Sequence, residues 1–332
     1  MAKKCMNQSE AFVDDSLKGI YRAYTGFYEY AAGDLRALFH RGAKTRKIGI
    51  VTGGGFGHLP LFLGYVGDGL CDGCAVGNVF TSPSCDTILN VSRAVVREDG
   101  VLFLFGNYFG DTMNFEMASE VLQKEGISST IVKASDDIAS APREAWTERR
   151  GIAGLTLLYK IVGAYADMGA SLDEVTQLAQ IAAKRISTFG VAFSSCVLPG
   201  SDEPIFTLDA DDMEIGMGIH GEPGISRGQM MPADHLGRIL ANHLREDQHL
   251  QSGERIAVMV NGLGSTSREE LYILYPAVAE VLEKDGAEIV KSYVGEYATS
   301  LEMTGLSVTV ARLDPLLERL LDQPTYTPFA VL

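Results

Sequence analysis

The sequence predicts an α/β protein of two domains, each built on a mostly parallel or mixed sheet flanked by helices. Three observations lead there. The chain has 332 residues, about twice the usual domain length of roughly 150. Short β-branched apolar runs alternate with longer amphipathic segments, as parallel α/β layering requires. Glycine occurs 36 times, about 11% against a usual ~7%, and it gathers between Gly53 and Gly77 and between Gly216 and Gly228. There is no Gly-X-Y period and only 11 prolines, so neither a collagen-like nor a disordered chain explains it. Such clusters mark backbone that takes positive φ or approaches a neighbour closely.

Phe12, Leu17, Ile20 and Tyr21 repeat with helical period, with Ser9 as the expected cap. Lys47–Thr52 reads as a buried strand running into a glycine loop at Gly53-Gly54-Gly55. Val101–Phe105 is a second strand, and a helix opened by Asp111 runs through Lys124 to Gly126. Ser129–Lys133 is a further strand. Helices follow over Gly151–Met168 and Leu172–Ile186, the second started by a Ser171/Glu174 capping box. A second alternating set has strands at Gly190–Ser194, Met213–Ile219, Ile256–Val260, Val290–Val294 and Ser307–Ala311. Its helices are Ala233–Arg245 and Arg268–Lys284. The expected boundary therefore divides 1–187 from 188–332.

The formal net charge of −15 and the lack of a long basic run remove the electrostatic footprint for nucleic acid or an anionic membrane surface. Residues 1–12 hold no apolar secretory core, and the longest apolar runs fall short of the ~20 residues a membrane helix needs. A cytoplasmic protein with reduced thiols is expected. Cys71 and Cys74 form a CxxC with Cys85 eleven residues on, but no second Cys/His pair lies near to complete a four-ligand zinc site. They read as buried small residues, and no metal is expected.

Three loops carry candidate chemistry. Gly53–Pro60 follows a strand end, where open α/β sheets place ligands, and lacks both GxxxxGK[ST] and GxGxxG. His58 there is either a ligand contact or a turn residue capping backbone. Asp111, after Gly106-Asn107-Tyr108-Phe109-Gly110, is either a helix cap or a catalytic carboxylate, and one residue can serve as both. His220, in Gly216-Met217-Gly218-Ile219-His220-Gly221-Glu222, is either a turn histidine or a nucleophile. His40, His235, His243 and His249 take no assigned role.

Together these segments resemble the substrate-binding subunit of the dihydroxyacetone kinase family. The resemblance runs through the loop with His58, Asn107–Ala118, Arg149-Arg150-Gly151, Met213–Gly224, Asn261-Gly262-Leu263-Gly264 and Thr299–Gly305. It implies a two-domain α/β fold, a homodimer, and a hydroxyketone held as a hemiaminal on His220. It further implies that Asp111 and His58 contact the substrate hydroxyls and assist phosphoryl transfer, with Gly54, Gly55, Phe56 and Gly57 lining the pocket. No cofactor is then expected on this chain. ATP or ADP with magnesium belongs to a nucleotide-binding partner subunit, which a phosphotransferase-system phosphocarrier recharges in some members. Other members sense hydroxyketone for a transcription factor without turning it over. The chain departs from the family's usual pattern at Phe56, Leu59, Gly106 and Phe109. Lost polar partners change which hydroxyls are satisfied, so a ketose other than dihydroxyacetone, such as an erythrulose-like one, is the expected substrate.

Overall fold

The computed structural model describes residues 4–42 and 45–329. The chain forms two compact units that are interleaved in sequence. One holds the described residues of 3–134, 156–182 and 319–332, the other residues 135–155 and 183–318. The single cut expected at 187/188 differs from this division. Residues 135–155 join the later unit because their polar groups bond there. The Thr188 amide donates to the Asp136 carbonyl at 2.7 Å and the Ile138 amide to the Thr188 carbonyl at 3.1 Å.

In the first unit, α1 (Phe12–Ala23) buries Val13, Leu17 and Ile20 along one stripe. Ser9 lies inside a short 3₁₀ turn ahead of it and supplies no side-chain cap. β1 (Tyr28–Tyr30), β2 (Ala37–His40), β3 (Ile48–Phe56), β4 (Gly73–Val79), β5 (Gly100–Gly106) and β6 (Ser129–Ala134) form a six-stranded sheet ordered β1-β2-β4-β3-β5-β6. β4, β3, β5 and β6 are parallel, and β1 and β2 add an antiparallel edge. α2 (Cys85–Val95) and α3 (Phe109–Lys124) cover one face, where Val51, Phe103 and Phe105 pack against Ile88, Val91, Phe115 and Leu122. On α4 (Leu155–Asp167), Tyr159 hydrogen-bonds through its hydroxyl to Thr52 of β3. Buried Arg46 donates to Asp72 at 2.9 Å, to the Leu70 carbonyl at 2.7 Å and to Asp167 at 2.8 Å. α5 (Leu172–Ala183) begins with the expected capping box, Ser171 and Glu174 bonding reciprocally. It stops at Ala183, short of the expected Ile186, which instead opens the next strand.

The second unit holds β7 (Ile186–Ser194), β8 (Asp212–Ile215), β9 (Ser226–Gln229), β10 (Arg255–Gly262), β11 (Glu288–Gly295) and β12 (Thr304–Leu313). Their order is β11-β10-β12-β7-β8-β9, with only β10/β11 parallel. Ile256, Val258 and Val260 point alternately onto one face, where they meet Leu236, Leu240 and Leu244 of α6 (Ala233–Gln248) and Leu274 and Val278 of α7 (Arg268–Glu283). β8 ends at Ile215, earlier than the expected Ile219, because Gly216 turns the chain at φ +82°. α8 (Pro315–Leu321) straddles the division at 318/319. Two mixed six-stranded sheets flanked by helices are thus the architecture the composition and periodicity predict.

Candidate functional site

In the first unit the parallel strands run β4-β3-β5-β6, so the connection leaving β3 goes to one side and the next crosses to the other. Ligands bind outside the carboxyl ends of the strands at such a reversal, here the ends of β3 and β5. β3 ends in the glycine run, and β5 leads through Asn107 and Tyr108 into α3. The run is not a free loop. Gly53 and Gly54 pair with Ala75 and Val76 of β4, and the strand continues to Phe56. Gly55 is required by close approach, since a Cβ there would stand 2.6 Å from the Thr81 amide nitrogen and 2.8 Å from the Phe80 Cα. The small residue lets residues 80 and 81 lie against the end of β3.

That segment links the two predicted residues of this unit. The buried His58 ring stacks on Phe80 with centroids 4.7 Å apart and meets Phe62 edge-on at 6.0 Å. On the other flank, a Cβ on Gly110 would stand 2.6 Å from Ser82 Oγ, and Asn114 Nδ2 donates to the Pro83 carbonyl at 2.7 Å. His58 and the start of α3, which carries Asp111, therefore flank one loop. Asp111 is the third residue of α3 and lies buried, with Tyr108 in the cap position and no side-chain cap. The helix-cap reading is thereby corrected: extended backbone at Tyr108 starts the helix at Phe109, two residues early. Gly54, Gly55, Phe56, Gly57, His58 and Leu59 line one small, mainly apolar cavity, and Phe56 meets Phe12 of α1 edge-on at 6.1 Å.

His220 belongs to the second unit, on the β8–β9 hairpin loop. The loop is pinned along its length. The Gly216 amide donates to the Gly190 carbonyl at 2.7 Å, the Gly224 amide to Glu214 Oε1 at 2.7 Å, and the Ser300 hydroxyl to the Ile219 carbonyl. His220 is half-buried, its Nδ1 3.0 Å from Glu222 Oε1 and its backbone amide donating to Glu222 Oε2 at 3.0 Å. Burial pushes the Glu222 carboxyl up, but the hydrogen bond and charge of His220 and the charge of Arg150 outweigh it and hold it at about 2. Arg150 Nη1 lies 3.9 Å from Glu222 Oε2, while Nε donates to Asp137 Oδ2 at 2.8 Å.

Sequence reasoning quoted Glu222 and Arg150 only within motifs, with no role assigned, and missed Asp137. Its signal for Glu222 was a carboxylate two residues after a loop histidine, close enough for a backbone amide to share. Asn261, singled out as part of a motif, acts as a staple: Nδ2 donates to the Ala298 carbonyl at 2.8 Å and Oδ1 accepts from the Tyr297 and Ala298 amides. All five cysteines are free thiols, and burial raises that of Cys74. Among the described residues no group of His, Cys, Asp or Glu could hold a metal ion, and no helix is long and apolar enough to cross a membrane.

Residues 18–329 match the Dak1 domain family. The chain is 41% identical to an L-erythrulose kinase of Pectobacterium atrosepticum, over 97% of this chain and 55% of that protein. It is 40% identical to the dihydroxyacetone-binding subunit DhaK of PTS-dependent dihydroxyacetone kinase 2 of Listeria innocua, over 98% of both. It thus spans about half the erythrulose kinase and nearly all of the Listeria subunit. Among solved structures, a dihydroxyacetone kinase operon co-activator, DhaQ, superposes with a TM-score of 0.87 at 32% identity, over 94% of this chain and 96% of that one. The dihydroxyacetone kinase of C. freundii gives 0.87 at 30%, over 100% of this chain and 62% of that one.

Proposed function

The chain belongs to the Dak1 domain family, and from that premise we propose that it is the substrate-binding subunit of a short-chain ketose kinase. The observation that carries the reading is that His58 and the start of α3, which carries Asp111, flank one loop at the strand-order reversal, where this class of sheet takes its ligands. His220 holds the ketone as a hemiaminal, which selects carbonyl compounds over simple polyols. The tether also removes much of the entropy cost of orienting the sugar. His58 bonds a substrate hydroxyl beside the Gly54–Gly57 shelf. Asp111 accepts the proton of the terminal hydroxyl as its oxygen attacks phosphorus. The phosphoryl group comes from ATP or ADP with magnesium on a partner subunit, recharged in the ADP case by a phosphocarrier. Assembly as a cytoplasmic homodimer belongs to the same reading.

The substrate class is dihydroxyacetone or an erythrulose-like tetrulose, with the tetrulose favoured. Phe56 and Leu59 give the shelf an apolar lining, and an L-erythrulose kinase is among the relatives. Intact-mass measurement under native conditions over a ketose panel tests this. An adduct lost in His220→Ala supports the reading, and clear preference for dihydroxyacetone over tetruloses refutes the substrate assignment. With the partner subunit added, Asp111→Asn should keep the adduct and lose turnover by about 100-fold or more. Retained turnover would sink the role of Asp111 as base.

The similarity to the co-activator favours a second reading, a hydroxyketone sensor without turnover. It predicts the His220 adduct and no phosphorylation with any partner subunit.

A further inference from the structure

An imidazole has two nitrogens, and only one bearing an unshared pair adds to a carbonyl carbon. Resting on the covalent reading of His220, we propose that Glu222 is a positioning residue that fixes the ring as its Nδ1–H tautomer and leaves Nε2 as the nucleophile. Arg150, anchored by Asp137, holds Glu222 in place for this.

The carboxylate clamps His220 twice. Oε1 lies 3.0 Å from ring Nδ1 and Oε2 accepts the residue's backbone amide at 3.0 Å. Held at about 2, Glu222 is ionised through the neutral range, and an ionised carboxylate only accepts hydrogen bonds. A ring nitrogen 3.0 Å from it therefore carries the hydrogen, and in the neutral ring the unshared pair is on Nε2. Arg150 is held independently of Glu222: Nε donates to Asp137 Oδ2 at 2.8 Å and Nη2 to the Gly216 carbonyl at 3.3 Å. Asp137 is 1% exposed, and its Oδ1 accepts the Ala139 amide at 3.0 Å. Space is reserved for the pair as well. A Cβ on Gly218 would stand 2.1 Å from Glu222 Oε2 and 2.7 Å from Arg150 Nη1.

The chemistry gives the carboxylate a second use. The Nε2 pair forms a bond to the carbonyl carbon, and the π pair of the C=O bond moves to oxygen, which takes a proton from solvent. The ring then carries Nδ1–H and Nε2–C together and is positively charged, facing Glu222. Ring orientation and charge stabilisation by one carboxylate is the arrangement that hydrolytic triads use for their histidine.

Nitrogen-15 NMR of histidine-labelled protein reads the tautomer directly. The wild type should show Nδ1 protonated and Nε2 bare, and Glu222→Ala should populate both tautomers. Native mass spectrometry with erythrulose should show an adduct about tenfold weaker in Glu222→Ala, as for a lost hydrogen bond to a charged group. Gly218→Ala should do the same with a folded chain, because its clash is with the movable end of Glu222. A bare Nδ1 in the wild type overturns the proposal, as does a tautomer and adduct unchanged in both variants. A protonated Nδ1 in a wild type that forms no adduct with any ketose leaves the positioning role standing and refutes covalent binding instead.

Discussion

Replacing Glu222 by Gln removes a charge while keeping the side chain's shape, and its effect on stability should depend on pH. The carboxyl is held at about 2 in the folded chain against an ordinary 4.5. A depressed acid contributes stability that is complete above its unfolded value and is lost as pH falls through its folded one. The full contribution is about 3 kcal/mol. The pair is roughly a quarter exposed, at 21% for His220 and 29% for Glu222, so solvent screening leaves about 2 kcal/mol. Urea unfolding of both proteins from pH 7 to pH 3 measures it. The gap should stay near 2 kcal/mol down to about pH 5 and fall to roughly half by pH 3, since glutamine has no proton to gain. A gap constant across that range would refute the reasoning and assign the loss to packing.

Three other substitutions follow from the same geometry. Gly55→Ala forces a Cβ against the backbone of residues 80 and 81 and should cost about 2–3 kcal/mol in urea unfolding; an unchanged midpoint would contradict it. Arg149, 1% exposed, donates to Asp247 Oδ2 at 3.1 Å and to the Ala141 carbonyl at 2.8 Å. Arg149→Met should cost about 3–5 kcal/mol by stranding a poorly solvated carboxylate, and a loss below about 1 kcal/mol in thermal unfolding would show that Arg143 and Ser187, which donate to Asp247 Oδ2 at 3.4 and 2.7 Å, suffice as its partners. Ser171→Ala removes the hydroxyl half of the α5 capping box and should lower stability by about 1 kcal/mol, with no effect on ketose binding by mass.

The strands that sequence reading found were those whose own residues declare them. β3 and β5 are β-branched or aromatic runs closed by glycine, and every residue of each is buried. β4 gave no such signal, because Gly73, Cys74, Ala75 and Gly77 are small. They are strand residues because neighbours crowd them: a Cβ on Gly73 would stand 2.4 Å from Val91 Cγ2. β9 is wholly exposed and exists by pairing with β8, a long-range property. α2 did carry a local signal in Ser84, whose hydroxyl accepts the Thr87 amide at 3.1 Å, beside Cys85, which drew notice only as a cysteine. Within the candidate site, His58, Asp111 and His220 were legible as residue types in glycine-rich settings. The stacking of His58 on Phe80 and the approach of Ser82 to Gly110 were not, because both depend on how β4 lies beside β3.

The interleaving of the two units bears on the order in which the chain is made. The first unit draws in residues near the end: the Asp68 amide donates to the Tyr326 carbonyl at 2.9 Å and the Tyr326 amide returns to Asp68 at 3.0 Å, while Lys160 Nζ donates to the Gln323 carbonyl at 2.9 Å. The second unit places β12 between β10 and β7, so its sheet closes only when residue 313 is available. Domains that are contiguous finish one after another as they leave the ribosome. Here the first unit is complete only when residues 323–326 are made and the second only when residue 313 is made, so neither unit finishes before most of the other has been synthesised.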